Sequence, residues 1–206
     1  MSRRSLHRLL VVLTVAVVLV VDQLTKFWVK THMVYGEEIQ LFGQDWALIH
    51  FVENNGMAFG LSFGGVLGKL LLSLFRIGAV AILVLYLREL LRKGVASGAQ
   101  LFGLALILAG AVGNIIDSAL YGLLFSESSY HGGVAEFLPE HGGYAPFLFG
   151  RVVDMFYFPL FYGTYPDWFP FVGGDAYLFF RPVFNVADVA ICVGVVVLLA
   201  SYLRRR

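Results

Sequence analysis

Four stretches of this chain, Leu9–Trp28, Val66–Leu87, Ala99–Tyr121 and Phe184–Leu203, stay apolar for about as long as a helix needs to cross a bilayer. A hydrocarbon core of roughly 30 Å takes about 20 helical residues. Inside that core each backbone N–H and C=O has to be satisfied within its own segment, so separated runs of this length read as helices. The expected fold is a membrane all-α bundle of four transmembrane helices. Composition agrees, because 59% of the 206 residues are hydrophobic, against about 45–50% in soluble domains. The length suits a single domain over residues 1–206.

Lys and Arg mark one side of the membrane. Arg3, Arg4 and Arg8 precede the first run, and Arg88, Arg92 and Lys93 lie between the second and third. Arg204, Arg205 and Arg206 follow the fourth. By the positive-inside rule these ends are cytoplasmic, with both termini inside. The segments 31–65 and 123–183 then face outward. No small-x-small site follows the first run, so it reads as a retained helix rather than a removable signal.

The first outer segment contains a strand-like stretch, Trp46 to Val52, and a Gly-rich turn, which predicts a small extracytoplasmic β-sheet. The second is rich in Phe, Tyr and Trp and carries Pro159, Pro166, Pro170 and Pro182. Aromatic residues favour the bilayer interface, so an interfacial loop or helix region is expected there. The net charge of +1 gives no case for a nucleic-acid partner. Cys192, in an apolar run, reads as a small buried residue. His131 and His141 lie in a Gly-rich stretch without a paired-ligand spacing, so they read as solvated loop residues, and no metal or other cofactor is expected.

Carboxylates inside a membrane are costly and usually functional. At about 1.5 Å of rise per residue, Asp22 and Asp188 both lie about 20 Å above the cytoplasmic edge, Asn114 about 22 Å and Asp117 about 27 Å. Three helices thus aim polar groups at one layer. Asn114-Ile115-Ile116-Asp117 and Asn185-Val186-Ala187-Asp188 share an Asn-x-x-Asp spacing, which puts both side chains on one helical face. Asp154 lies outside the spans among apolar neighbours. If it meets Asp188, the two share a proton and one pKa rises. Such a pair can activate water and protonate a leaving amine without a metal.

Several strings along the chain, in order, resemble those of lipoprotein signal peptidases (signal peptidase II, aspartic peptidase family A8). They are Val21-Asp22-Gln23-Leu24-Thr25-Lys26, then Asn54-Asn55-Gly56-Met57-Ala58-Phe59-Gly60, then Gly113 to Asp117. Gly150-Arg151-Val152-Val153-Asp154-Met155 and Phe184 to Asp188 complete the set. The resemblance implies an inner-membrane aspartic endopeptidase that cuts diacylated prolipoproteins before the lipid-modified cysteine. Asp154 and Asp188 would be the catalytic dyad. Asn54, Gly56, Asn114, Asp117 and Asn185 would bind substrate or brace the dyad, and Asp22 would be structural or near the site. The implied partners are prolipoprotein substrates and membrane lipid.

Two departures stand out. The family usually has Arg directly after the third-helix Asp, where this chain has Ser118. Arg76 in the second span is the candidate to supply the missing charge. The chain also inserts Ser126 to Phe149 between Asp117 and Asp154. The competing reading is a small proton-coupled transporter subunit, since intramembrane carboxylates also form proton paths. Ser/Lys chemistry from Ser73 and Lys69, on one face of the second span, lacks any supporting motif.

Overall fold

The computed structural model describes residues 2–55 and 65–204. Four helical segments are long and apolar enough to cross a membrane. Three are single helices: α1 (Arg3–His32), α2 (Gly65–Lys93) and α5 (Val186–Leu203). The other begins as α3 (Gly98–Ile116), passes through a π-helical segment, Asp117–Tyr121, and closes with one turn, α4 (Gly122–Leu124).

Capping side chains set where several of these begin. Ser2 accepts from the Ser5 N–H, which starts α1 before the apolar run does. Ser97 and Gln100 form a reciprocal capping box on α3. Asn185 and Asp188 form another on α5. The last helix therefore starts at Val186, and Phe184, which hydropathy placed in the span, belongs to a strand.

The strands gather at one end of the bundle. β1 (Glu38–Gln40), β2 (Leu48–Asn54), β3 (Val152–Tyr157) and β6 (Val183–Phe184) form one antiparallel sheet in the order β1-β2-β3-β6. β4 (Phe161–Thr164) and β5 (Ala176–Phe179) form a separate hairpin between β3 and β6. The strand expected from Trp46 to Val52 is displaced towards Asn54. Its register with β3 shifts between Ile49 and Val52, after which Val52 stands opposite Asp154 and Asn54 opposite Val152.

The sheet is joined to the helices by a buried cluster of Val29, Met33, Phe51, Tyr121, Phe125, Val153 and Met155. Side chains alternate across a strand. With Val153 and Met155 committed to this cluster, Val152 and Asp154 turn to the opposite face. A second cluster, including Val11, Leu87, Leu101 and Ala105, ties α1, α2 and α3 together away from the sheet.

α3 and α5 make the closest helix pair. A Cβ added to Gly194 would lie 2.6 Å from the Gly103 carbonyl, so no larger side chain fits without separating the helices. Small residues serve this purpose where lipid leaves packing as the main attraction between helices. Much of the remaining helix surface is apolar and uncovered by protein, including Val12, Val17, Leu71, Phe75, Val196 and Leu199. Cys192 also lies on that surface and is exposed, contrary to the buried position its apolar run suggested. An apolar neighbourhood in sequence does not separate a protein-facing from a lipid-facing side when both are apolar.

The inserted segment 126–149 is tied down at several points. Phe125 bridges to Phe137, and Val34 bridges to Val134. His131 and His141 are both exposed on it.

Candidate active site

Asp22 and Lys26 are one helical turn apart on α1, and both are fully buried. The Lys26 ammonium contacts Asp22 at 2.9 Å and Asp117, from the start of the π-helical segment, at 2.7 Å. It donates its third bond to Asn114 Oδ1 at 2.9 Å. An ammonium has three donors, and all three are spent here. Gln23 joins the same group, donating to Asp22 Oδ2 at 3.1 Å and to Asp117 Oδ1 at 2.9 Å. Tyr121 in turn donates to Gln23 Oε1.

This assembly sets which way the asparagine amides point. Because Asn114 Oδ1 accepts from Lys26, its Nδ2 faces outward and donates to Asp188 Oδ1 at 2.9 Å. Asn114 Oδ1 also accepts from Asn185 Nδ2 at 3.2 Å. Asn185 Oδ1 accepts from the Asp188 N–H at 3.0 Å, which leaves its Nδ2 to donate to Asp154 Oδ1 at 2.7 Å. One asparagine thus holds each of the two aspartates expected to react, and the asparagines bond to each other. Asp188 is further fixed by accepting from the Asn185 N–H on its Oδ2.

Asp154 comes from β3 and is nearly fully buried. Asn54 also hydrogen-bonds to it. The register explains this: Val52 is opposite Asp154, and Asn54, two residues on, shares the same face, within diagonal reach. Burial, and then the negative charge of Asp188, push the Asp154 carboxyl up to about 7. The Asn185 and Asn54 bonds and the Lys26 charge act against that rise. Arg76 of α2 is within electrostatic reach of Asp188, Asp117 and Asp154.

Asp22 does more than fix helix packing. Its Oδ1 accepts from the Ala187 N–H at 2.9 Å. Backbone donors at a helix start have no partner within the helix, so α1 satisfies the start of α5 from across the bundle. Gly113 makes room for this: a Cβ there would lie 2.6 Å from Asp22 Oδ2.

Asp117 accepts weakly from the Val153 N–H, at 3.4 Å, which links the third span to the strand bearing Asp154. Gly150 lets that strand approach, donating its N–H to the Ser118 carbonyl at 2.8 Å. The Ser118 side chain, where the usual Arg is absent, bonds back to the Asn114 carbonyl.

Of the residues singled out in the sequence, Asp22, Asn54, Asn114, Asp117, Asp154, Asn185 and Asp188 belong to this one polar network. Gly56 lies outside the described residues, as do Met57 to Gly60. Lys26 and Gln23 were missed as site residues, although Lys26 sits four residues after Asp22 in an apolar run, the spacing of a helical ion pair.

A second buried group was not foreseen. Lys30, fully buried, pairs with Glu53 and donates to Ser128 Oγ at 2.8 Å. Arg151 bridges Glu53 at 3.3 Å and Glu127 at 2.9 Å. These contacts fasten the 126–149 insertion beside β2 and β3, next to Asn54.

Comparisons with known proteins place the chain in a family. The profile of the signal peptidase II family, Peptidase A8, matches residues 14–204. A lipoprotein signal peptidase of Porphyromonas gingivalis is 50% identical over 190 residues, covering 92% of this chain and 81% of the relative. One of Amoebophilus asiaticus is 39% identical, covering 85% and 70% respectively. A solved bacterial membrane enzyme shares the fold at a TM-score of 0.60 and 23% identity, over 95% of this chain and 94% of its own. With the family profile running from within the first span to the end of the fourth and taking in the whole polar network, this chain belongs to the signal peptidase II family.

Proposed function

We propose that this protein is an aspartic endopeptidase that removes signal peptides from bacterial prolipoproteins, cutting before the diacylglyceryl-modified cysteine. The observation that carries the reading is the pair of bonded asparagines, Asn114 and Asn185, which bring Asp188 and Asp154 into one layer from a helix and a strand. The distribution of Lys and Arg supports an orientation with the opposite end of the bundle in the cytoplasm. The sheet and the dyad then face outward, where a translocated cleavage site emerges.

In the proposed reaction, one carboxylate takes a proton from water as the water oxygen bonds to the scissile carbonyl carbon. The protonated partner then gives its proton to the leaving amine as the C–N bond breaks. The products are the signal peptide's carboxylic acid and the free amine of the lipid-modified cysteine. Asp154 is suited to the proton-holding role near neutrality, because its carboxyl stays protonated up to about pH 7. The polar groups gather in one layer at the sheet end, which favours a surface-facing hydrolytic site over a conducting path.

The test is processing of a diacylated prolipoprotein in proteoliposomes by the wild type and by Asp154→Asn and Asp188→Asn. Both variants should yield no detectable product while keeping the wild-type melting behaviour. Equal product from all three would overturn the assignment.

A further inference from the structure

The β4–β5 hairpin is exposed to an extent that its own chemistry does not support in water. Its two strands pair only with each other and not with the main sheet. An isolated two-stranded hairpin is marginal in water and needs a surface to cover it. Yet its side chains are among the most exposed aromatics of the described residues: Phe161, Tyr162, Trp168, Phe171 and Phe179. Its rings pack mainly on one another at tilted angles, Phe161 with Phe179 and Tyr165 with both Phe169 and Tyr177. Phe171 is wholly exposed while its backbone sits at a φ of 70°. A bulky residue holds that left-handed conformation only at an energetic cost.

The position of the hairpin identifies the missing surface. It leaves β3 at Tyr157 and returns through β6, and α5 begins at Val186, just after the return. Its root is therefore attached to the end of a membrane-spanning helix. Trp and Tyr concentrate at that depth, where one part of the ring meets hydrocarbon and the other meets headgroups. Between Phe158 and Pro182 the only charged residues are Asp167, Asp175 and Arg181. The contact is thus aromatic and does not depend on anionic lipid.

We propose that the β4–β5 hairpin lies in the headgroup and upper acyl region of the bilayer leaflet at the sheet end, with Trp168 and Phe171 as its inserted tip. If Asp154 and Asp188 react as proposed above, this contact also fixes the height of the dyad over the membrane, because the hairpin is strung between their two elements.

Trp168 can report on this without any activity measurement. The chain has three tryptophans, so Trp28→Phe with Trp46→Phe leaves Trp168 alone in the full-length protein. In nanodiscs, lipid brominated near the glycerol end of the acyl chains should cut its emission about twofold or more, as for an interfacial indole. The effect should be equal in zwitterionic and anionic discs. Quenching by aqueous acrylamide with no response to brominated lipid would overturn the proposal. So would protection from both quenchers that disappears on dilution into excess empty discs, which would show a second copy covering the tip. A spin label at Phe171→Cys, in a Cys192→Ala background, provides an independent depth reading. Accessibility to oxygen exceeding that to a soluble nickel chelate is expected, and the reverse order would overturn the proposal.

Discussion

Lys26→Met removes the cation that three buried groups share. Asp22 at 2.9 Å, Asp117 at 2.7 Å and Asn114 at 2.9 Å would all lose their partner together. Breaking a buried ion pair from one side costs about 3–5 kcal/mol, because the remaining charge stays buried. Here two carboxylates remain, with Gln23 as their common donor. Two like charges would then face each other without their cation, which pushes α1 and the third span apart. For a chain of this size each kcal/mol shifts melting by about 2–4 °C, so a drop of roughly 10 °C is expected. Adding Asp117→Asn to Lys26→Met should restore part of the loss, since it removes one of the stranded charges, and the pair of substitutions should be clearly non-additive. Thermal unfolding in detergent, followed by intrinsic fluorescence, measures both. A Lys26→Met protein that melts within a degree or two of the wild type would refute the argument that this ammonium holds the network together.

Other outcomes follow from the same geometry. Processing should fall as pH rises through about 7, the point at which Asp154 gives up the proton that its burial and Asp188 favour; a rate that climbs steadily through that range would contradict the role given to Asp154. Arg76→Gln removes a positive charge that favours the ionised carboxylates, so the alkaline limb of that profile should move to higher pH, and an unchanged or lowered midpoint would exclude Arg76 as a partner of the site. Gly194→Leu should separate α3 from α5 and abolish processing along with stable folding, because even a Cβ would lie 2.6 Å from the Gly103 carbonyl; limited proteolysis in detergent would reveal the loosened pair. Ser128→Ala should cost about 1 kcal/mol through the lost bond to Lys30, seen as a small fall in melting temperature, whereas an increase would mean the insertion is not anchored there.

Hydropathy and charge were enough to read the helical bundle, since bilayer thickness and backbone hydrogen bonding leave few alternatives for such runs. The convergence of Asp22, Asn114, Asp117 and Asp188 could also be read, because residue rise along a helix converts position into depth. Asp154 was harder: it lies on a strand, where depth does not follow from counting, and its meeting with Asn54 depends on a register shift inside β2. Lys26 lies one helical turn after Asp22 in an apolar run, so its pairing with Asp22 is legible from spacing, but its contact with Asp117 depends on how α1 packs against the third span. The group around Lys30, Glu53, Ser128 and Arg151 could not be read at all. Its members come from four separated segments with no common spacing, and only the folded path of the insertion brings them together. Phe184 and Cys192 were misplaced for a shared reason, as apolarity alone marks neither where a helix is capped nor which side of it meets lipid.

The capping box at the start of α5 makes the two aspartates unequal in freedom. Asp188 is bonded through one oxygen to the backbone N–H of the residue that caps its own helix, so turning its carboxylate would give up one of the two bonds of that capping box. Among the described residues, Asp154 is held by the side-chain amides of Asn185 and Asn54, and it sits on a strand whose pairing with β2 already contains a shift in register. Under the proposed reaction, any accommodation to peptides of different bulk should therefore fall to the strand, with the helix acting as the fixed jaw of the pair. Compounds designed to span both acids would do best to match the rigid one first and leave slack towards the other.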